Sequence, residues 1–137
     1  MNNIHEKGVV ILDFGSQYTQ LIARRVREQN VHSEILPPET SLDEILNRAP
    51  AALILSGGPS SIFGNEAPLF DESILDADLP ILGICYGLQL LAHHYGGAVV
   101  STGQGEYGSA EIELDDNSGL FFNVPSTSKV WMSHMDR

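Results

Sequence analysis

Three short apolar runs and one more strand-like stretch, separated by helical patterns, constrain this chain more than any other feature. The runs are Val9-Val10-Ile11-Leu12, Ala51 to Leu55 and Ile81-Leu82-Gly83-Ile84, and Ser33 to Leu36 reads as the second strand in chain order. Runs that are apolar at nearly every position suit strands covered on both faces, and strands alternating with helices predict a parallel α/β sheet. After the first run, Tyr18, Leu21, Ile22 and Val26 are spaced for one face of a helix. Arg24, Arg25 and Arg27 fall on its other side or towards its C-terminus, where they complement the helix dipole. Pro37-Pro38 ends the second strand, and Ser41 is placed to cap a short helix carrying Leu42, Ile45 and Leu46. A further helix is expected over residues 66 to 76, with Pro68 near its start. Leu88, Leu90, Leu91 and Tyr95 then follow on a helix closed by Gly96-Gly97.

Beyond Gly97 the pattern changes. Ala98 to Ser101, Ser109 to Leu114 and Lys129 to Met132 predict short strands separated by turns. Ala110, Ile112 and Leu114 alternate with Glu111, Glu113 and Asp115, as in a strand with one wet face. With 137 residues, 42% of them apolar and 18% charged, the chain can bury one real core and does not read as disordered. Its net charge of −11 repels phosphate backbones, so nucleic acid is an unexpected partner. The one cysteine cannot form an internal disulfide, which agrees with a reducing cytoplasm. The first apolar run is too short for a secretory segment, and no membrane span is expected.

The stretch richest in chemistry is Gly83-Ile84-Cys85-Tyr86-Gly87, between a buried strand and a helix. It matches the pattern G-x-nucleophile-x-G, with cysteine as the nucleophile. Turning a strand into a helix within two residues forces the central backbone into a strained conformation, and side chains at the flanking positions would clash. Such a turn lifts Cys85 above the carboxyl ends of the strands, where open α/β sheets bind ligands. It also sets Cys85 at a helix N-terminus, whose partial positive charge favours an anion. The backbone N–H of Tyr86 is suited to a developing oxyanion. The competing reading, a small buried apolar cysteine, is the commoner fate of an isolated one.

Ser56-Gly57-Gly58-Pro59 ends a neighbouring strand and is expected beside that elbow. It is either a second donor of N–H groups to an anion or a plain tight turn closed by proline. No phosphate-loop or dinucleotide fingerprint occurs. Asp13-Phe14-Gly15 spells the metal-binding tripeptide of kinases without its partner motifs, and is read as chance. Among the histidines, His93 and His94 are adjacent and cannot chelate one metal together, while His5 and His32 fall in a tail and a turn. Of the five, His134 alone could approach the catalytic edge of the sheet, and it reads more readily as structural or near the substrate. No cluster has metal-ligand spacing, so no metal site is expected.

Gly83 to Gln89, taken with Leu55 to Pro59, resembles the class I (triad-type) glutamine amidotransferases. Ile11 to Leu21, Ala23 to Glu28 and Val130 to His134 resemble one branch of that family, the one that aminates xanthosine monophosphate. The resemblance implies a flavodoxin-like, mostly parallel open sheet with helices on both faces, over residues 9–137 behind a tail of residues 1–8. It implies that Cys85 attacks the glutamine amide, that Gly58 and Tyr86 supply oxyanion-hole N–H groups, and that Gln89, Ser133 and His134 bind substrate. The family's catalytic histidine and glutamate belong to a His-Pro-Glu motif, which does not occur among the 137 − 85 = 52 residues after Cys85.

The domain is therefore expected to be incomplete and, on its own, inactive. The resemblance also implies glutamine as ligand and an ATP pyrophosphatase domain as partner. That domain would bring ATP and Mg2+, with no cofactor on these residues, in a cytoplasmic, homodimeric whole enzyme. Two departures stand out. Met135 replaces the glycine usual after the Ser-His pair, and Gly105 stands where the family often has arginine. An amidotransferase subunit of anthranilate or carbamoyl-phosphate synthesis, or a non-catalytic partner-binding module, are the alternatives.

Overall fold

A computed structural model describes residues 8–58, 68–99, 101–116 and 118–136, with side chains of 101–107 and 131–136 left out of the description. The backbone divides into two compact units, Met1–Val99 and Val100–Arg137. The first unit holds β1 (Val9–Leu12), α1 (Thr19–Glu28), β2 (Ser33–Leu36), α2 (Leu42–Asn47), β3 (Ala52–Leu55), a 3-10 helix (Glu72–Asp76), β4 (Ile81–Gly83) and α3 (Tyr86–His94).

The four strands form one parallel sheet in the order β2-β1-β3-β4, as the alternation of apolar runs predicted. Leu12 lies level with Leu36 on one side and Leu55 on the other, and Leu55 lies level with Gly83. The carboxyl ends of all four strands therefore form one common edge. Strand pleating sends alternate side chains to opposite faces. Val10, Leu12, Leu53 and Leu55 face Ile45 of α2, Ile74 and Leu75 of the 3-10 helix, and Tyr86, Leu90 and Leu91 of α3. Ile11 and Ile54 face Ile22, Ala23 and Val26 of α1. Helices thus cover both faces of β1 and β3, which is why these strands carry no polar alternation; β4, expected to be buried, is an edge strand only half-buried, with Leu82 exposed. Each fully buried leucine or isoleucine of this core contributes about 1.5–3 kcal/mol.

The helices follow the sequence with local differences. Tyr18 and Leu21, expected on the inner face of α1, are exposed, as are Leu88 and Tyr95 at the two ends of α3. Ser41 caps α2, its Oγ accepting from the N–H of Glu44. The helix expected over 66–76 is not formed as such: residues 66 and 67 lie outside the described residues, and only the 3-10 turn Glu72–Asp76 is present. Asp71 sets its start by accepting from the N–H of Ser73, and Ala77 closes it with an N–H donated to the carbonyl of Ile74. Arg24 and Arg25 pair with Glu28, whereas Arg27 donates to the buried Ser33 hydroxyl.

The second unit is an antiparallel pair, β5 (Ser101–Glu113) and β6 (Thr127–Asp136), joined through a short 3-10 turn at Gly119–Phe121. The separate strands expected at Ala98 to Ser101 and Ser109 to Leu114 are instead one long strand. Ala98 and Val99 are outside it, Val100 lies outside the described residues, and an irregularity separates the Ser101/Asp136 pair from Glu106/His134. β6 extends the expected Lys129 to Met132 segment in both directions. The alternation is as read: Ala110, Ile112 and Leu114 are half-buried, while Ser109, Glu111 and Glu113 are exposed. Glu111 sits opposite Lys129, a favourable charge pairing across the strands. Among the described residues, no helix is long and apolar enough to cross a membrane.

Candidate functional site

Only Ile84 and Cys85 separate β4 from α3. So short a crossing leaves Cys85 at φ 52°, ψ −114°, a region that a side chain on L-backbone rarely adopts. Three backbone bonds hold it: Ile84 N–H to the Leu55 carbonyl (2.9 Å), Gly87 N–H to the Ile84 carbonyl (3.0 Å) and Gln89 N–H to the Cys85 carbonyl (3.0 Å). The two flanking glycines are steric necessities. A Cβ on Gly87 would stand 2.3 Å from the Leu55 carbonyl oxygen, and one on Gly83 would stand 2.7 Å from the backbone nitrogen of Leu88. Glycine is what allows α3 to start against β3. Cys85 itself is exposed, at the N-cap of α3, so its reading as a small buried residue is set aside.

The loop after β3 lies against this turn. A Cβ on Gly57 would meet the Cβ of Cys85 at 3.0 Å and its Sγ at 3.7 Å. Gly58 presses on the loop after β1, where an added Cβ would fall 2.0 Å from the Phe14 carbonyl oxygen. The structure therefore brings Gly57, Gly58, Cys85 and Tyr86 together at the carboxyl edge of β1, β3 and β4. Pro59 lies outside the described residues. Tyr86 occupies the first turn of α3, where backbone N–H groups have no acceptor within the helix. Its ring is buried, 5.2 Å from that of Phe14, which also meets Phe70 edge-on at 5.6 Å. Burial pushes the Tyr86 phenol above its usual range, so it stays protonated at neutral pH.

A buried polar network, not anticipated from the sequence, ties these loops together. Ser56, fully buried, accepts from the Phe14 N–H (3.3 Å) and reaches the Gly57 carbonyl (3.3 Å). The buried Thr19 hydroxyl lies 3.2 Å from Ser56 Oγ and 3.1 Å from Asp13 Oδ1. Asp13 Oδ1 also accepts from the Gly15 N–H at 2.8 Å, and Gly15 has φ 98°. The signal was available: small polar residues directly follow two fully apolar runs, with a glycine two residues after the aspartate. The kinase-like tripeptide Asp13-Phe14-Gly15 is thus part of a loop scaffold.

Gln89 lies on α3, one turn beyond Cys85. His93 and His94 are about 12 Å or more along the same helix by its rise per residue, and His94 pairs with Asp76 at 2.9 Å. His32 precedes β2, at the opposite, amino end of the sheet, where its carbonyl accepts from Val9. His5 lies outside the described residues. Ser133 and His134 belong to the second unit, on β6, paired with Tyr107 and Glu106, and their side chains are outside the description, as is the role of Met135. Gly105, the other departure, lies on β5. Among the described residues no group of three or more His, Cys, Asp or Glu side chains could hold a metal ion.

The profile of the family described as "Glutamine amidotransferase class-I" matches residues 10–137. A glutamine-hydrolyzing GMP synthase of Campylobacter lari is 54% identical over 129 residues, covering 94% of this chain and 25% of the relative. One of Prochlorococcus marinus is 50% identical over 142 residues, covering 99% of this chain and 27% of the relative. The chain therefore spans about a quarter of the length of the curated relatives it matches. Among solved structures, a Thermotoga maritima glutamine amidotransferase superposes with a TM-score of 0.70 at 25% identity, over 97% of this chain and 62% of that one. A Thermoplasma acidophilum protein assigned as part of a GMP synthase reaches 0.76 at 30% identity, over 95% and 65%.

Proposed function

The chain belongs to the class I glutamine amidotransferase family, and from that membership we propose that it performs the glutamine-cleaving step of a GMP synthase. The observation carrying this reading is Cys85, exposed and held at φ 52° at the N-terminus of α3 with its Sγ facing Gly57. Cys85 as thiolate adds to the side-chain amide carbon of glutamine, and the carbonyl electrons move onto oxygen. N–H groups of Gly58 and Tyr86 receive that oxyanion, a contribution worth about 10²–10³ in rate per donor. Collapse breaks the C–N bond, the nitrogen leaves as ammonia once protonated, and a γ-glutamyl thioester remains. Water then releases glutamate and restores Cys85. Gln89 holds the amino-acid end of the substrate; the family resemblance, and no geometry, assigns Ser133 and His134 to substrate binding as well.

The ammonia would serve an ATP-dependent amination of xanthosine monophosphate by an ATP pyrophosphatase domain, within a homodimeric cytoplasmic enzyme. The shared name of relatives at 50–54% identity supports that pathway. ATP and Mg2+ would bind that synthetase domain.

Acylation and turnover separate in the test. A chloroketone analogue of glutamine should add one stoichiometric adduct at Cys85 of the 137-residue chain, lost in Cys85→Ala, as read by mass spectrometry. Failure to label would overturn the nucleophile. Ammonia release from glutamine should be nearly absent, because no His-Pro-Glu histidine is in the sequence and general acid–base help is worth about 10²–10⁴-fold. Fast ammonia release that needed Cys85 and survived His134→Ala would overturn this division.

A further inference from the structure

We infer that Ser56 and Thr19 are positioning residues that set the oxyanion hole through Phe14, an inference that rests on the proposed glutamine chemistry and deepens it. Phe14 touches both proposed donors. Its carbonyl lies under Gly58, so closely that a Cβ there would fall 2.0 Å away, and its ring packs 5.2 Å from the Tyr86 ring. Whatever fixes Phe14 therefore fixes the spacing of two N–H groups on different strands' loops.

What fixes Phe14 is a side-chain bond from 42 residues away. Its N–H donates to Ser56 Oγ at 3.3 Å, in a site where Ser56 is fully buried. A serine hydroxyl can rotate, and further partners remove that freedom. Ser56 Oγ donates to the Gly57 carbonyl at 3.3 Å, and Thr19 Oγ1 stands 3.2 Å from Ser56 Oγ and 3.1 Å from Asp13 Oδ1. Asp13 is in turn held by the Gly15 N–H at 2.8 Å. The network joins the first turn of α1, the β1 loop and the end of β3, and it bridges the two apolar strands at the centre of the sheet. Among the described residues it makes no bond to Cys85, so it acts on the carbonyl's polarisation and leaves the sulfur's intrinsic reactivity alone.

Two electrophiles distinguish those effects on the 137-residue chain. The glutamine chloroketone reacts through addition: the thiolate adds to the ketone, giving an oxyanion in the hole, sulfur then displaces chloride from the adjacent carbon, and the first C–S bond breaks as the oxyanion reforms the ketone, leaving a thioether on the methylene carbon. Iodoacetamide loses iodide by direct displacement and develops no such oxyanion. In Ser56→Ala the limiting rate of chloroketone inactivation should fall about 10-fold or more. Its half-saturating concentration and the iodoacetamide rate should each stay within about 2-fold. Thr19→Val, which keeps the side-chain shape, should show the same split more weakly, and Thr19→Ser should restore the rate. If Ser56→Ala fails to fold by circular dichroism, Thr19→Val decides. An unchanged inactivation rate, or chloroketone and iodoacetamide rates falling together, overturns the positioning role. No chloroketone labelling of the unmodified chain would instead sink the glutamine reading itself, and this role with it.

Discussion

The loops that leave β1 and β4 start from one sheet edge and reach their helices by opposite means. From Leu12 the chain takes six residues to begin α1, folding them with side-chain bonds: Asp13 holds Gly15 and Thr19, and the N–H of Tyr18 donates to the Ser16 hydroxyl. From Gly83 it takes two, with no side-chain cap, and relies on missing Cβ atoms and a positive φ at Cys85. A loop stitched by hydrogen bonds can be a rigid platform without strain. A two-residue turn cannot, and the strain it stores sits on the residue proposed to react. The division of labour follows: one loop positions, the other presents.

The sharpest way to break that contrast is to fill the short turn. Gly87→Ala puts a Cβ 2.3 Å from the Leu55 carbonyl oxygen, in a place where only backbone could yield. We expect a loss of about 3 kcal/mol in urea unfolding, at the upper end for overpacking. A variant as stable as the parent would show that the turn is not sterically built.

A smaller, opposite effect is expected at the strained residue. Cys85→Gly should unfold later than Cys85→Ala by about 1 kcal/mol, since glycine tolerates φ 52° and this gain exceeds its extra chain entropy. Both variants lose the sulfur, so the comparison isolates backbone strain. Equal thermal midpoints would remove strain from the account.

The smallest effect calibrates a stitched loop away from the edge. Asp71 accepts from the Ser73 hydroxyl and from the N–H groups of Leu42 and Ser73. These bonds, the Ser73 hydroxyl first, hold its carboxyl below the usual aspartate value of 3.8. With the folded value depressed, its contribution is present above that usual value and fades as pH falls through the folded one. Asp71→Asn should cost a small amount at neutral pH, and the gap to the parent should close in acid. A gap that widened as pH fell would contradict the assigned bonds.

Most of the scaffold and half of the site were legible in the amino-acid sequence. A parallel strand buried on both faces must be apolar at successive positions, so β1 and β3 announce themselves in a few residues. The pair of glycines around Cys85 is equally direct, because no other residue permits that crossing. Ile74 and Leu75, both buried, give an apolar signal that fits a helix and a 3-10 turn equally, so the turn at Glu72–Asp76 stands where a longer helix is expected. β5 runs as one strand through Gly105 and Gly108, residues of high turn propensity, and pairs Gly108 with Met132, because cross-strand pairing to β6 overrides local propensity.

The sequence by itself determined the α/β class, the succession of the four parallel strands, and the identity of Cys85 as the candidate nucleophile, since each rests on residue type and short-range spacing. The sequence also anticipated that the loop after β3 lies beside the cysteine, as the closeness of Gly57 to Cys85 shows. Tertiary structure alone decided the buried contacts that tie these loops together: Ser56 and Thr19 are 37 residues apart and their 3.2 Å contact exists only because β3 pairs with β1. Strand order is set by which faces bury the most apolar area across the whole sheet, a global sum that no local window of residues contains.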